Sequence, residues 1–323
     1  MGVRVVASGS YVPDAVVNNE HLRQRLGCDS EWIIKRTGIL ERRHALPHQA
    51  TSDLCHLAAE RCLTKADVNP KDIDLLLVGT FTPDMTFPSV ACLVQDRLKL
   101  ACPATDIQAA CAGFMYALVT GAAYVLSGAS KLALVIGGDC NSRIINPSDL
   151  KTYPLFGDGA GAVLLAPGHP DQGLLSYSLG ADGSGGDLLN RPACGSRLPP
   201  TPEALANNLQ YLHMDGRAVF RWAIGILVDT IQDVLRAARL TVDDVDLFIP
   251  HQANIRIINA LDVLDIPRSK VFVNLDRYGN TSAGSIPIAL DEAVKESRVK
   301  PGSLIMLSGF GAGLSWGTAL MRW

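Results

Sequence analysis

"DIDLLLVGT", residues 72–80, and "DVDLFIPHQ", residues 244–252, share one pattern: two aspartates flanking an apolar residue, then a run of large apolar side chains. Their offset is 244 − 72 = 172. A second pair, "KLALVIGGD" (131–139) and "SLIMLSGFG" (303–311), repeats at 303 − 131 = 172. Two separate matches at one offset predict an internal duplication. Each segment is a short β-rich apolar run of the kind buried in a parallel or mixed sheet. Helical patterns lie between them, as in "SDLCHLAAERCLTKA" (52–66) and "AVFRWAIGILVDTIQDVLRAA" (218–238). Strands alternating with helices predict an α/β protein with helices covering sheets. The polar, Pro/Gly-rich "APGHPDQG" around residue 170 marks a boundary, with halves 1–170 and 171–323. The stretch 182–208 is irregular in pattern, either a surface loop or a lid over a pocket.

Each half also carries a small-residue turn entering an apolar helix. "CAGFMYAL" starts at Cys111 and "SAGSIPIAL" at Ser282, one residue out of the main register. The two turns are expected to face each other where the halves meet. Cys111 follows Ala109 and Ala110 and precedes Ala112 and Gly113. A structural cysteine does not need such cleared surroundings; a nucleophile that must meet a bulky substrate does. At a helix N-terminus, free N–H groups and the dipole favour a thiolate, and the same amides can hold an oxyanion.

The totals bound the function. The chain has 323 residues, 48% hydrophobic and 19% charged, with net charge −3. This permits a large core and gives no basic block for nucleic acid. No uninterrupted apolar run is long enough for a membrane span. "MGVRVVASGS" reads as a strand and not as a secretory leader, and Val6 argues against myristoylation, so a cytoplasmic protein is expected. None of the eight cysteines forms a C-x-x-C pair or a zinc spacing with histidine, so most are expected as reduced core residues. The Gly-rich "FGDGAGA" (156–162) lacks G-x-G-x-x-G and reads as a tightly packed strand.

"AACAGF" (109–114), "PHQANIR" (250–256), "YGNTSAGS" (278–285) and "GFGAGLSWG" (309–317) together resemble the β-ketoacyl-acyl-carrier-protein synthase III family of the thiolase superfamily. So do "EWIIKRTGI" (31–39), "FPSVAC" (87–92), "FGDGAGA" and "MDGRAVF" (214–220), in order along the whole chain. The resemblance implies a thiolase-like fold, two βαβαβ halves of five strands each in a five-layered αβαβα arrangement. It implies a decarboxylative condensation of a short acyl-CoA, acetyl-CoA foremost, with malonyl-acyl carrier protein, which initiates fatty acid synthesis. Cys111 matches the acyl-accepting nucleophile, and His251 and Asn280 match the decarboxylation pair. The backbone N–H groups of Cys111 and Ala312 match the oxyanion hole, although the family usually has glycine where Ala312 stands.

Further positions follow from the same resemblance. Trp32, four residues from Arg36, is expected to stack on the CoA adenine while Arg36 meets phosphate. Lys151, Gly216, Phe220 and Asn254 complete the CoA site. Lys151 stands where the family often has arginine and so cannot pair bidentately. Phe81, Phe87 and Phe310 are expected around the acyl pocket, Phe87 reaching into a partner subunit, which implies a homodimer. Phe81 is bulky and favours a short starter. Arg217, Arg221 and Arg256 are expected to dock the acidic carrier protein. No metal and no cofactor beyond the acyl-CoA substrate is implied. Chain-elongating relatives carry a second histidine where Asn280 stands, and thiolases a further cysteine in the C-terminal Gly-rich turn; this chain has neither. Two alternatives stand beside this reading: a starter-unit enzyme of secondary metabolism, and a non-catalytic scaffold partner. The intact Cys111, His251 and Asn280 oppose the second.

Overall fold

In the computed structural model, residues 2–323 are described. The first sheet is built from β1 (Gly2–Tyr11), β2 (Leu75–Gly79), β3 (Ala104–Ile107), β4 (Ala133–Cys140) and β5 (Asp158–Gly168), in the order β1-β5-β4-β2-β3. The second uses β6 (Gly173–Ala181), β7 (Leu247–Pro250), β8 (Leu304–Gly311) and β9 (Ser315–Arg322), in the order β6-β9-β8-β7. The two orders are the same once the missing outer strand is allowed for. The duplicated register is kept as well: Leu75 pairs with Ala133 and Leu247 with Ile305, each 58 residues on (133 − 75 and 305 − 247). The repeated aspartates explain why that pattern recurs. Asp74 N–H donates to the Leu132 carbonyl at 3.1 Å, and its carboxylate takes the Leu132 N–H at 3.1 Å. Asp246 makes the same two-point clamp on Leu304, both at 2.8 Å.

The expected second set of five strands is corrected to four. Where the fifth should lie, only a single parallel bridge joins Phe248 and Val271. Beside that bridge, the Gln252 side-chain amide links the end of β7 to the 272–274 segment. Its Nε2 donates to the Pro250 carbonyl at 2.7 Å, and its Oε1 accepts from Asn274 N–H at 3.0 Å.

Helices complete the layers. Between the sheets lie α3 (Gly113–Leu126) and α5 (Ser285–Lys295). Their Phe114, Met115, Leu118, Ile286 and Leu290 share one core with Leu77 and Val135 of the first sheet and Ile249 and Leu307 of the second. On the outer face of the first sheet, α2 (Thr51–Ala66) buries Leu54, Ala58 and Cys62. On the outer face of the second, α4 (Gly216–Ala238) buries Leu227, Ile231 and Val234. Each fully buried aliphatic side chain contributes about 1.5–3 kcal/mol. Cys28, Cys55, Cys62 and Cys140 are core residues of these clusters, and burial pushes the Cys62 and Cys140 thiols up to about 12. Gly161 in "FGDGAGA" is strand packing: a Cβ there would stand 2.6 Å from Pro287.

The stretch 182–208 is less irregular than its composition suggests. It holds a 3-10 turn (Gly183–Leu188), a two-residue strand (Leu189–Asn190) paired with His213–Met214, and a short helix (Pro202–Ala206). Leu189 and Leu212 are buried against Ile144 and Ile145, and Leu212 N–H donates to the Ile144 carbonyl at 2.8 Å. The first half also has a long excursion, residues 141–157, between its last two strands; the second has only 312–314 there.

Candidate active site

The two small-residue turns meet between the sheets. A 3-10 turn, Ala110–Ala112, leads into α3, and another, Ser282–Gly284, leads into α5. Ala110 and Ser282 both take left-handed backbone, φ +46° and +53°. Their separation is 282 − 110 = 172, so the duplication holds its register through the turns. This corrects the alignment of Cys111 with Ser282: the counterpart of Cys111 is Ala283.

Cys111 is 7% exposed, and its Sγ accepts a hydrogen bond from Ser282 Oγ at 3.2 Å. Burial pushes this thiol up to about 12; the Ser282 hydrogen bond works the other way and the nearby Asp139 charge adds to the rise. Burial thus opposes the thiolate that the helix terminus favours. Gly311, at the end of β8, lies directly against it: a Cβ there would stand 2.6 Å from Cys111 N. Ser315 Oγ donates to the carbonyls of Ala109 and Ala312, both at 2.9 Å, tying the Cys111 turn to the glycine-rich turn. Cys111 N–H donates to no acceptor on another of the described residues and bears only on its own sulfur.

His251 follows the end of β7, where its N–H donates to the Ser308 carbonyl of β8 at 2.7 Å. Its ring is buried, edge-on to Phe310 at 5.4 Å, and Nδ1 has no partner. Burial alone pulls it down to about 3, so the imidazole is neutral. Phe310 and Gly311 are adjacent in β8, so His251 and Cys111 contact neighbouring residues of one strand. Asn280 is buried two residues before Ser282, and its Oδ1 accepts from Ser282 N–H at 2.9 Å. What remains for a ligand is its amide N–H₂. Asn280 N–H donates to the Leu155 carbonyl at 2.8 Å, which ties it to the 141–157 excursion. Ser282, in the turn expected to face Cys111, thus links Asn280 to Cys111, while β8 touches Cys111 through Gly311 and His251 through Phe310.

A cleft of about 1180 Å³ opens at the surface. Trp32, Arg36, Lys151, Gly216, Phe220 and Asn254 all line it, and so do Arg217, Arg221 and Arg256. Trp32 and Arg36 share one face of α1 (Ser30–Thr37), and the Arg36 guanidinium sits 4.7 Å over the indole. Asn254 is occupied internally: its Nδ2 donates to the Arg36 carbonyl at 3.0 Å and its Oδ1 accepts from Arg256 N–H at 2.8 Å. The lining reaches Leu155, the residue that holds Asn280, but none of Cys111, His251 and Asn280 is on it. Of the three phenylalanines, Phe81 packs with Ala312 against the cluster of Leu189 and Leu212. Phe310 belongs to a different cluster, with Trp222 and Trp316 packed there, and its ring meets His251 edge-on. Phe87 is 82% exposed on the surface.

Paired sheets around two central helices, with a cysteine turn from one half and histidine and asparagine from the other, define a thiolase-fold acyltransferase of the condensing type. The comparisons give the family within that class. The 3-oxoacyl-[acyl-carrier-protein] synthase III pattern matches residues 105–183, and its C-terminal pattern residues 235–323. A β-ketoacyl-[acyl-carrier-protein] synthase III of Rhodopirellula baltica is 54% identical over 341 residues, covering 100% of this chain and 99% of that one. One of Natranaerobius thermophilus is 47% identical, covering 99% of each. The crystal structure of 3-oxoacyl-[acyl-carrier-protein] synthase III from Aquifex aeolicus VF5 superposes with a TM-score of 0.92 at 40% identity, covering 100% of both chains. The chain belongs to the β-ketoacyl-acyl-carrier-protein synthase III family.

Proposed function

We propose that Cys111 accepts an acyl group from a short acyl-CoA, acetyl-CoA foremost, and passes it to the enolate of malonyl-acyl carrier protein. The observation that carries this is the Cys111 turn: a thiol held by Ser282 beside an N–H without an acceptor on another of the described residues. The thiol sulfur attacks the thioester carbonyl and CoA leaves as the thiol. The developing oxyanion takes the N–H groups of Cys111 and Ala312. A neutral His251 can accept the thiol proton, which a permanently charged imidazolium could not. In the second half-reaction, malonyl decarboxylation builds negative charge on a thioester oxygen. The His251 ring N–H and the Asn280 amide are its donors. The enolate carbon then attacks acyl-Cys111, the C–S bond breaks, and a 3-oxoacyl carrier protein leaves.

The CoA nucleotide is assigned to the cleft, with Trp32 for the base and Arg36, Lys151 and Arg256 for phosphates. Phe81 bounds the acyl end. The protein acts in the cytoplasm as a homodimer with Phe87 inserted into its partner, and uses no metal or further cofactor. The halves 1–170 and 171–323 act together, neither holding the site alone. The test is peptide mass mapping after incubation with acetyl-CoA, then a panel of acyl-CoAs with malonyl-carrier protein. A 42-Da-type acyl adduct on Cys111 and a 3-oxoacyl product are expected, the adduct mass being about that of an acetyl replacing a proton. A label on Cys92, Cys102 or Cys194 with Cys111 clean would remove the assignment.

A further inference from the structure

The duplication sets one strand-end residue of each half against the amide of the other half's turn. In the second half this residue is Gly311, whose Cβ direction points at Cys111 N, 2.6 Å away. In the first half the same place is Asp139 (139 + 172 = 311). Its Oδ2 accepts from Ala283 N–H at 3.1 Å, and Ala283 is the counterpart of Cys111 (111 + 172 = 283). The turns themselves match, with Ala112 N–H on the Ala109 carbonyl at 3.0 Å and Gly284 N–H on the Thr281 carbonyl at 2.9 Å. One of the paired amides is therefore capped by a carboxylate of the chain. The other is left without an acceptor on another of the described residues.

Asp139 is fully buried and accepts only donors. Its Oδ1 collects Thr80 Oγ1 and Thr82 Oγ1 at 2.8 Å and the N–H groups of Phe81 and Thr82 at 3.0 and 3.2 Å. One carboxylate so joins the segment bearing Phe81 to the turn bearing Ser282. Ser282 in turn holds Cys111 Sγ through its hydroxyl and Asn280 Oδ1 through its N–H.

We propose that Asp139 permanently occupies a second, pseudo-symmetric oxyanion site, and is thereby the positioning residue for the turn that sets Asn280 and Ser282. Gly311 is the same position emptied so that a substrate oxygen can take Cys111 N–H. This rests on the reading of that N–H as an oxyanion donor.

Two measurements test it. The first follows malonyl-carrier-protein decarboxylation without acyl-CoA in Asp139→Ala, which removes the acceptor of Ala283 N–H, and in Asp139→Asn, whose single carbonyl oxygen cannot serve both Ala283 N–H and the donors gathered on Oδ1. Both variants should be slowed by about tenfold or more. Unchanged rates in either variant would overturn the proposal. The second needs no variant: amide hydrogen exchange in the free protein should be about tenfold or more slower at Ala283 than at Cys111, and acylation of Cys111 should slow the latter. Equal exchange at the two amides would overturn it as well. A missing acyl adduct on Cys111 would instead sink the functional reading and leave the exchange comparison standing.

Discussion

Ser282 Oγ donates to Cys111 Sγ at 3.2 Å, joining two residues 171 apart in the chain. Among the causes acting on this thiol, that hydrogen bond is the largest one that lowers its pKa. Hydrogen bonds to charged groups contribute roughly 1.5–3 kcal/mol, and a thiolate gains more from such a donor than a thiol does. Ser282→Ala should slow alkylation of Cys111 by iodoacetamide at pH 8 by about tenfold. Measured across pH, the rate should still be climbing at pH 10 in both proteins, because burial holds the thiol near 12. A plateau near neutral pH would show a thiolate already formed.

Gly311 is fixed by space. A methyl group there would meet Cys111 N at 2.6 Å and Cys111 Cβ at 3.0 Å, both on the backbone-anchored turn. Gly311→Ala is expected to lose about a hundredfold or more in acyl transfer, the scale of losing one oxyanion donor. Gly195→Ala, where nothing lies within 4 Å, is the control and should keep both rate and melting temperature.

The two-fold offset of 172 carried the fold from sequence because buried strands must be apolar and their starting aspartates must clamp the neighbouring strand. Cys111, His251 and Asn280 were legible as motif residues, and their convergence follows from the same duplication. Other parts were not legible. The second sheet stops at four strands beside a link made by the Gln252 side chain, and such a link has no period. Ser282 was matched to Cys111 by a similar triplet, whereas holding the offset fixed would have paired Cys111 with Ala283 and exposed Asp139 opposite Gly311. A helix terminus at Cys111 is visible in sequence, whereas the burial that raises its thiol is not.

His251 has a consequence for acid stability. Its pKa lies at about 3 in the folded protein against 6.5 ordinarily, with burial as the cause. Between those values the unfolded chain binds a proton that the folded one does not. The contribution is therefore fully present above pH 6.5 and is lost as the pH falls toward 3. The loss for one such group is up to about 1.4 kcal/mol per pH unit. Urea unfolding at pH 7, 6, 5 and 4 should show a shallower decline for His251→Gln than for the unchanged protein. Parallel curves would mean that His251 is charged or solvated in the fold.

The carrier-protein face can be separated from the CoA site by charge. Arg217 and Arg221 are exposed on one side of α4, while Ala223 and Leu227 are buried on the other. Both arginines line the same cleft as Arg36. Arg256 lines the cleft beside Trp32 and Arg36, and its guanidinium stacks on Phe220 at 5.2 Å. An acidic carrier protein arriving at such a rim gains mainly in association rate, and the gain fades with salt. At 1 M ionic strength the screening length is only about 3 Å. Arg221→Glu is therefore expected to raise the KM for malonyl-carrier protein about tenfold at low salt, to flatten its salt dependence, and to leave the KM for acyl-CoA within about threefold. Arg256→Glu should raise both KM values, since it also removes a cation–π contact and a phosphate-facing charge. Steady-state kinetics at 0.05 and 0.5 M salt read all four quantities. If Arg221→Glu moves the acyl-CoA KM as far as the carrier-protein KM, Arg221 belongs to the nucleotide site and the docking face lies elsewhere.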